Sequence, residues 1–279
     1  MDLSIAIVSW NTRELLDNCL RSIFDTTQGI EYEVIVVDNK SSDDSVDMVR
    51  STYPQVRLIE NQDNVGFPKA NNQAYRVSSG RHFMLLNPDT ICREGALVGL
   101  VRFLDEHPDV GAVGPLVLNP DETLQYSWAR FPRLITEIRG ILDRRIDGFK
   151  TPTTAEQVRE IGPFATDWVG GCAMVIRRAA VEQIGLMDES FFMYNEETDW
   201  CYRLCKQGWS VWVEPSTEIV HLGGQSSSRA KSRSAKHLRD SKRHYFSKHC
   251  GVLSGGLLYA ILSAKWYVSQ MITSSNSKN

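Results

Sequence analysis

Leu3-Ser4-Ile5-Ala6-Ile7-Val8, running into Ser9-Trp10-Asn11, is the stretch on which the fold turns. It is short, almost wholly apolar and rich in Ile and Val, as a strand covered on both faces should be. Residues 1–10 are too short, and carry the wrong first charge, for a secretory leader. Runs of the same kind follow at Glu33–Val37, Val56–Ile59, His82–Leu86 and Val110–Val117. Between them lie helical patterns, such as Leu15, Leu16, Cys19, Leu20 and Ile23, spaced by three and four residues. This alternation predicts βαβ units: an α/β fold with a mainly parallel central sheet and helices on both faces. Ligands of such sheets sit beyond the carboxyl ends of the strands, so the residues just after each run are the candidates for chemistry.

The 279 residues suffice for a full α/β core, and 42% hydrophobic with 23% charged residues is ordinary for a folded domain. A net charge of -3 gives no general attraction for nucleic acid. Locally the balance differs: Arg229 to Lys248 holds eight Lys or Arg and one acid, Asp240. The six cysteines, Cys19, Cys92, Cys172, Cys201, Cys205 and Cys250, show no Cys-x-x-Cys spacing. They read as free thiols in a reducing, cytoplasmic compartment.

The second half changes character. A connection from about Pro132 to Pro163 has a helical core near Leu134–Ile146. A strand over Asp167–Ile176 and helices over Arg177–Ile184 and Glu196–Gln207 are expected next, then two short strands, Ser210–Val213 and Glu218–His221. The tail is basic from 224 to 250 and apolar from Val252 to Ile272, interrupted by Lys265 and Gln270. A basic stretch before an apolar one suggests peripheral contact of 229–272 with an anionic membrane surface. A helix packed on the chain's own domain and a true span are the other readings.

Trp10 and Asp38 end neighbouring strands. An aromatic face beside a carboxylate that can accept a ring N–H suits a pyrimidine base. Asp38 and Asp43 can equally cap the helix that follows, and both uses can coexist. After the third run comes Asn64-Val65-Gly66-Phe67-Pro68-Lys69-Ala70-Asn71. Gly66 permits close backbone approach, Lys69 brings positive charge, and Asn71 can bond ribose or phosphate oxygens, though a plain turn before a helix also accounts for the segment. It matches neither a Walker loop nor the dinucleotide Gly fingerprint. Asn87-Pro88-Asp89 ends the fourth run, where a carboxylate can hold Mg²⁺ or Mn²⁺ completed by substrate phosphates; the bland alternative is a Pro-Asp turn. Glu196, Glu197 and Asp199 open a helix, where acids are favoured for structural reasons alone. Yet Phe191-Phe192-Met193-Tyr194 precede them, and an apolar setting raises a carboxyl pKa, as a general base for a sugar hydroxyl requires. His221 closes the last strand, and by itself reads as a satisfied polar group.

Together these blocks resemble the inverting glycosyltransferases of family 2, of GT-A fold, and among them the rhamnosyltransferase-like branch of cell-surface polysaccharide synthesis. The resemblance runs from about Leu3 to Ser226 and rests on Ile7–Asn11, Val36–Asn39, Asn64–Phe67, Leu86–Asp89, Trp168–Gly171, Phe192–Asp199 and His221–Gly224. It implies a donor-nucleotide site formed by Ser9, Trp10, Asp38, Gly66, Lys69, Asn71 and Asn87, with Trp10 on the base and Asp38 on its N–H. It implies metal ligands at Asp89 and His221, acceptor contacts at Trp168, Gly170 and Gly171, and a catalytic base at Glu197, with Glu196 and Asp199 as rivals. Asn87 stands where the family usually has the first acid of its Asp-x-Asp motif, and Glu197 where Asp is usual. The donor would be a dTDP- or UDP-sugar, dTDP-rhamnose first, and the acceptor a glycan or lipid-linked glycan.

The implied organisation is a catalytic domain over 1–226, with a nucleotide-binding half of about 1–118 and an acceptor-binding half of about 119–226, plus a helical extension over 227–279. A nucleotide-sugar-forming nucleotidyltransferase should carry a Gly-rich basic loop after the first strand, whereas this chain has Ser9-Trp10-Asn11-Thr12. A catalytically silent nucleotide-sugar-binding module is the other alternative, against which the acids at 196, 197 and 199 count.

Overall fold

The structure is a computed structural model and describes residues 1–142, 152–223 and 231–276. Strand β1 (Leu3–Ser9) sends Leu3, Ile5 and Ile7 to one apolar cluster and Ala6 to another. In β2 (Tyr32–Asp38), Val34 and Val36 join the first cluster, Ile35 and Val37 the second. Side chains alternate across a strand, so both faces of the sheet need a cover. Helices α1 (Arg13–Thr26), α2 (Ser45–Thr52) and α4 (Ala96–Glu106) cover one, with Leu16, Leu20, Ile23, Val49, Leu97 and Leu100 buried. Helices α3 (Phe67–Val77), α7 (Arg178–Ile184) and α8 (Glu196–Lys206) cover the other through Ala70, Ala74, Ala180, Val181, Trp200 and Leu204. Each large apolar side chain so buried contributes about 1.5–3 kcal/mol, which makes this three-layer core the rigid support for the loops above it.

The remaining strands are β3 (Arg57–Glu60), β4 (His82–Leu86), β5 (Thr90–Cys92), β6 (Val110–Leu118), β7 (Trp128–Ala129), β8 (Phe164–Thr166), β9 (Trp168–Val169), β10 (Ala173–Arg177) and β11 (Ser210–His221). The main sheet has nine strands in the order β3-β2-β1-β4-β10-β6-β11-β5, with β8 also paired to β11. Strands β1 to β4 are mutually parallel where they pair, and β6 runs parallel to β11. Strands β5, β8 and β10 are antiparallel to their neighbours. The sheet is thus mainly parallel, as the alternation predicts, and β10 from the second half of the chain lies between β4 and β6 of the first.

Two expectations are corrected. Asp167–Ile176 is two strands, because Gly170-Gly171 turns the chain: the Gly170 amide donates to Ser127 O at 2.6 Å, β9 pairs with β7, and only β10 enters the main sheet. Conversely, Ser210–Val213 and Glu218–His221 belong to one strand. Its register on β6 shifts between Glu214 and Glu218, across Pro215, which has no N–H for the ladder. All six thiols are free, with Cys19, Cys92 and Cys201 buried.

Helices α5 (Leu134–Leu142) and α6 (Ala155–Ile161) fill the connection, and α9 (Lys231–Cys250) and α10 (Val252–Asn276) form the helical extension. The rest of the expected helix beyond Leu142, Gly224 of the His221 block, Arg229 and the 226/227 boundary lie outside the described residues. Tyr245 and Phe246 of α9, Leu258 of α10 and Phe191 form a small buried cluster, joined at its edge by Leu134 and Leu262. The apolar tail helix therefore packs on its own domain along one side. Its other side stays open: Val252, Leu253 and Tyr267 are exposed, Leu253 by 90%. Among the described residues no helix is long and apolar enough to cross a membrane.

Candidate active site

The first corner of the site lies where β1 and β2 end. Their parallel register pairs Ser9 with Asp38, and Ser9 Oγ is 2.9 Å from Thr12 Oγ1. Asp38 is buried; its Oδ2 accepts the Ser41 amide at 2.8 Å, while Oδ1 has no partner. The capping role falls instead to Asp43, which accepts from the Arg13 and Ser45 amides at 2.9 and 3.3 Å. Asp38 thus keeps one acceptor oxygen unassigned, with the half-buried Trp10 beyond the neighbouring strand end.

The loop into α3 is tied to the other half of the site. Gly66 has φ +85, and a Cβ there would sit 2.7 Å from Phe192 O. The Phe67 amide donates to that same carbonyl at 2.9 Å. The close approach foreseen for Gly66 is therefore an approach to the segment that precedes α8. Asn71 is buried: Nδ2 donates to Phe67 O at 3.0 Å, and Oδ1 has no partner. Lys69 is exposed on the same helix.

Asp89 and His221, 132 positions apart, meet because β5 pairs antiparallel with the end of β11, setting His221 opposite Thr90. The Leu222 amide donates to Asp89 O at 2.9 Å, and Asp89 Oδ1 lies 3.2 Å from His221 Nε2. Asn87 Nδ2 is 3.4 Å from the same nitrogen. The other ring nitrogen, Nδ1, is 2.5 Å from Gln125 Oε1, and Gln125 Nε2 donates to Asn119 Oδ1 at 2.7 Å and to His221 O at 3.1 Å. Both Nε2 contacts are acceptors, which fixes the amide orientation, so Nδ1 carries the proton it donates to Gln125. Nε2 then faces the Asp89 carboxylate and the Asn87 amide, an arrangement of donor atoms that could hold a cation.

The three acids of α8 have separate fates. Asp199 is fully buried and sits 2.9 Å from Arg203 Nε, 2.8 Å from Lys248 Nζ and 2.7 Å from His249 Nε2. Burial alone would raise its pKa, but these partners outweigh it and hold the carboxyl below its usual range. It is an anchor, with nothing left over for proton abstraction. Glu197 is the opposite case: Oε2 is buried without a partner, and burial pushes the carboxyl up to about 7. Glu196 is also buried and unpartnered at Oε2, and desolvation with the adjacent Glu197 charge drives its pKa well above the normal glutamate value. Gly171 borders this helix, a Cβ there lying 3.7 Å from Glu197 Cβ and 3.5 Å from Phe67. Trp168 packs in the core, and its indole N–H donates to Arg130 O at 3.2 Å.

These corners are contiguous. The Asn87 amide donates to Cys172 O at 2.9 Å, and burial pushes the Cys172 thiol up to about 12, with the charges of Asp89 and Glu197 adding to the rise. Gly171, beside Glu197, and Cys172, hydrogen-bonded to Asn87, are consecutive, so the two segments adjoin. On the other side Asn39 Nδ2 reaches Gly66 O at 3.4 Å, which joins the Asp38 corner to the α3 loop. Buried acceptors without partners are each destabilising by about 1–3 kcal/mol and are rare in folded chains. Among the described residues, Asp38, Asn71, Asn195, Glu196 and Glu197 each carry one in these segments, and Thr27, Tyr75 and His82 carry one elsewhere. Five unsatisfied acceptors at neighbouring strand and helix ends suit a polar ligand. Gln125, Cys172 and the partners of Asp199 escape the sequence reading. Only the basic run that contains Lys248 gives any signal, and it points to a surface.

Comparison with known proteins identifies the family. The model of Glycosyl transferase family 2 matches residues 4–185. An N-acetylglucosaminyl-diphospho-decaprenol L-rhamnosyltransferase of Mycobacterium tuberculosis is 30% identical over 89% of this chain and 85% of its own length. The rhamnosyltransferase WbbL of Escherichia coli is 25% identical, over 88% of this chain and 92% of its own. Among solved structures, the mannosyltransferase PcManGT from Pyrobaculum calidifontis, in complex with GDP-Man and Mn²⁺, superposes with a TM-score of 0.61. It is 18% identical, over 96% of this chain and 75% of that one. GalNAc-T7 with UDP, GalNAc and Mn²⁺ gives 0.58 at 17% identity, over 79% and 44%. These last two speak to the fold, which is GT-A. With a family match over most of the catalytic region and a relative at this identity over nearly the whole chain, the protein belongs to glycosyl transferase family 2 and is a glycosyltransferase of the rhamnosyltransferase-like branch.

Proposed function

We propose that this glycosyltransferase moves L-rhamnose from dTDP-rhamnose to a lipid-linked N-acetylglucosaminyl diphosphate, or a glycan built on one, with inversion at the anomeric carbon. What supports the reading is the approach of Asp89 to His221 at 3.2 Å, together with the Glu197 carboxyl buried without a partner on a neighbouring segment. Residues 1–118 supply the donor half: Asp38 Oδ1 accepts a base N–H, Trp10 covers the ring, and Ser9, Gly66, Lys69, Asn71 and Asn87 border the ribose and diphosphate. Residues 119–226 supply the acceptor half, with Trp168, Gly170 and Gly171 lining the approach to Glu197. A carboxylate oxygen 3.2 Å from an imidazole nitrogen whose partner nitrogen is already committed fits a divalent cation, Mg²⁺ or Mn²⁺, held by Asp89 and His221 with Asn87 beside them. Bound there, such an ion would neutralise the departing diphosphate. Glu197 takes the proton of the acceptor hydroxyl as that oxygen attacks the anomeric carbon and the nucleoside diphosphate leaves. A single displacement of this kind needs one base and no sugar–enzyme bond.

A panel of dTDP-, UDP- and GDP-sugars, titrated with and without Mn²⁺ and then assayed for transfer to a prenyl-diphospho-N-acetylglucosamine, tests the assignment. Metal-dependent binding and turnover strongest with dTDP-rhamnose is the expected result. Preference for a UDP- or GDP-sugar would overturn the donor, and metal-independent binding the Asp89–His221 role.

The chain works at the cytoplasmic face of the membrane in this reading, with α10 as the contact. Exposed Val252, Leu253 and Leu257 lie on that helix, and Arg233, Lys236 and Arg243 are exposed on α9 beside it. Apolar residues that insert and basic ones that meet anionic headgroups make an interfacial helix, each base adding about 1 kcal/mol. The protein should float with phosphatidylglycerol-containing vesicles and much less with phosphatidylcholine alone, and the pair Leu253→Asp and Leu257→Asp should cut binding at least about tenfold. Unchanged flotation of that double variant would remove α10 as the contact.

A further inference from the structure

Helix α9 touches the catalytic turn along much of its length. Ser241 Oγ donates to Met193 O at 2.7 Å, and the His237 ring stacks on Phe192 at 4.4 Å. His244 meets the Phe191 ring edge-on at 4.5 Å and lies 3.2 Å from Asp188 Oδ2. Lys248 bridges Asp188 and Asp199 at 2.6 and 2.8 Å, and His249 closes on Asp199 at 2.7 Å. From the opposite side, the α3 loop grips the same segment through the Phe67 amide on Phe192 O.

What this clamp holds is strained. Tyr194 and Asn195 have φ +75 and +66, in the left-handed region that residues with a Cβ seldom adopt, and they lead straight into Glu196 and Glu197. Two consecutive residues in that region persist only where their surroundings over-determine them. Asn195 Oδ1 is buried without a partner, so that side chain adds nothing to hold the turn. Asp199 lies two positions beyond Glu197 in the same helical turn and is the point at which α9 fixes the orientation of that turn.

We infer that α9 is a brace for the catalytic turn, and that Ser241, Lys248 and His249, acting through Met193 and Asp199, are positioning residues that aim the Glu197 carboxylate. The inference rests on Glu197 as the base and adds that the extension beyond the catalytic domain is part of the catalytic apparatus. None of the three reaches the donor pocket at Asp38, Asn71 or Asp89. Loosening the brace should therefore misplace the base while leaving nucleotide binding alone, and a misplacement of about 1 Å can cost on the order of 10²-fold in rate.

The full chain carrying Ser241→Ala, His249→Ala or His249→Gln would be compared with wild type for kcat of transfer and, by calorimetry, for Kd of dTDP and UDP with Mn²⁺. We expect kcat to fall about 10- to 100-fold in the two Ala variants, with both Kd values within about twofold of wild type. His249→Gln keeps an N–H near Asp199 and should recover most of the rate. Ser241→Ala removes one hydroxyl and serves if His249→Ala does not fold. Wild-type kcat in the Ala variants, equal losses of kcat and nucleotide affinity, or no recovery in His249→Gln would each overturn the brace. Glu197→Gln, run alongside, separates the causes: an active Glu197→Gln sinks the base assignment itself, whereas an inactive one beside fully active Ala variants sinks the brace alone.

Discussion

Glu197→Gln should lower transfer by a factor on the order of 10² to 10⁴ while leaving nucleotide-sugar binding intact. The amide keeps the size of the side chain and loses only its capacity to take a proton. Asp199 cannot substitute, since its carboxylate is consumed by Arg203, Lys248 and His249. Burial and the adjacent Glu197 charge raise the Glu196 carboxyl well above the ordinary glutamate range, which disfavours its ionised, proton-accepting form. The pH dependence has a definite sign. Burial pushes Glu197 up to about 7, so the ionised, proton-accepting form is scarce below that pH, and kcat/KM should rise with pH and level off above it. The same shift acts on stability in the other direction. The folded state keeps the proton up to about 7, whereas an unfolded chain releases it near 4.5, so native stability contributed by this site is lost as pH rises through that window. Glu197→Gln should therefore unfold at a higher temperature than wild type at pH 8, with the difference vanishing near pH 4. A variant that is inactive yet no more stable at pH 8 would mean that the carboxyl is not desolvated as described.

The central architecture was readable because its signal is local. Leu3, Ile5 and Ile7 against Ala6, and Leu16, Leu20 and Ile23 at helical spacing, state which face each residue buries. The strand-end rule then points to Asp38 and Asn87–Asp89 without any structure. What the sequence conceals is set by long-range pairing. The Thr90–His221 register that joins Asp89 to His221 belongs to a three-residue strand too short to leave a pattern. Gln125 sits in a loop with no motif, and its role exists only because His221 O and Nδ1 face it together. Likewise the left-handed Tyr194 has a side chain that does not advertise the conformation, and only Asn195 beside it is of a type that favours the region. The charged tail holds a second role that its composition does not show. Its Lys and Arg residues suggest a surface, while Lys248 and His249 turn inward to an acid about fifty positions away, which composition cannot express.

Asp89→Ala should fail at the opposite end of the reaction, losing Mn²⁺-dependent nucleotide binding by at least about 10²-fold. The magnitude follows from comparison with an indirect ligand partner: removing a group that only orients a metal-binding histidine costs about 10- to 100-fold in metal affinity, and Gln125→Ala is that change here. Removing Asp89 takes away a carboxylate outright, and the usual first acid at this place is Asn87, an amide with no charge to compensate. Among the described residues no third His, Cys, Asp or Glu joins the pair in a metal-sized group, so nothing remains to replace it. If Asp89 and His221 hold the ion, substrate phosphates complete its shell, and metal and nucleotide should bind cooperatively, each raising the affinity of the other by the same factor. Calorimetry of dTDP and UDP in Mn²⁺ and again in EDTA separates the possibilities. Wild type should show the large metal-dependent difference, Gln125→Ala a reduced one and Asp89→Ala none, whereas Glu197→Gln should keep it whole. Equal affinities in Mn²⁺ and EDTA for wild type would instead make Asp89 and His221 a plain ion pair that fastens β5 to the end of β11.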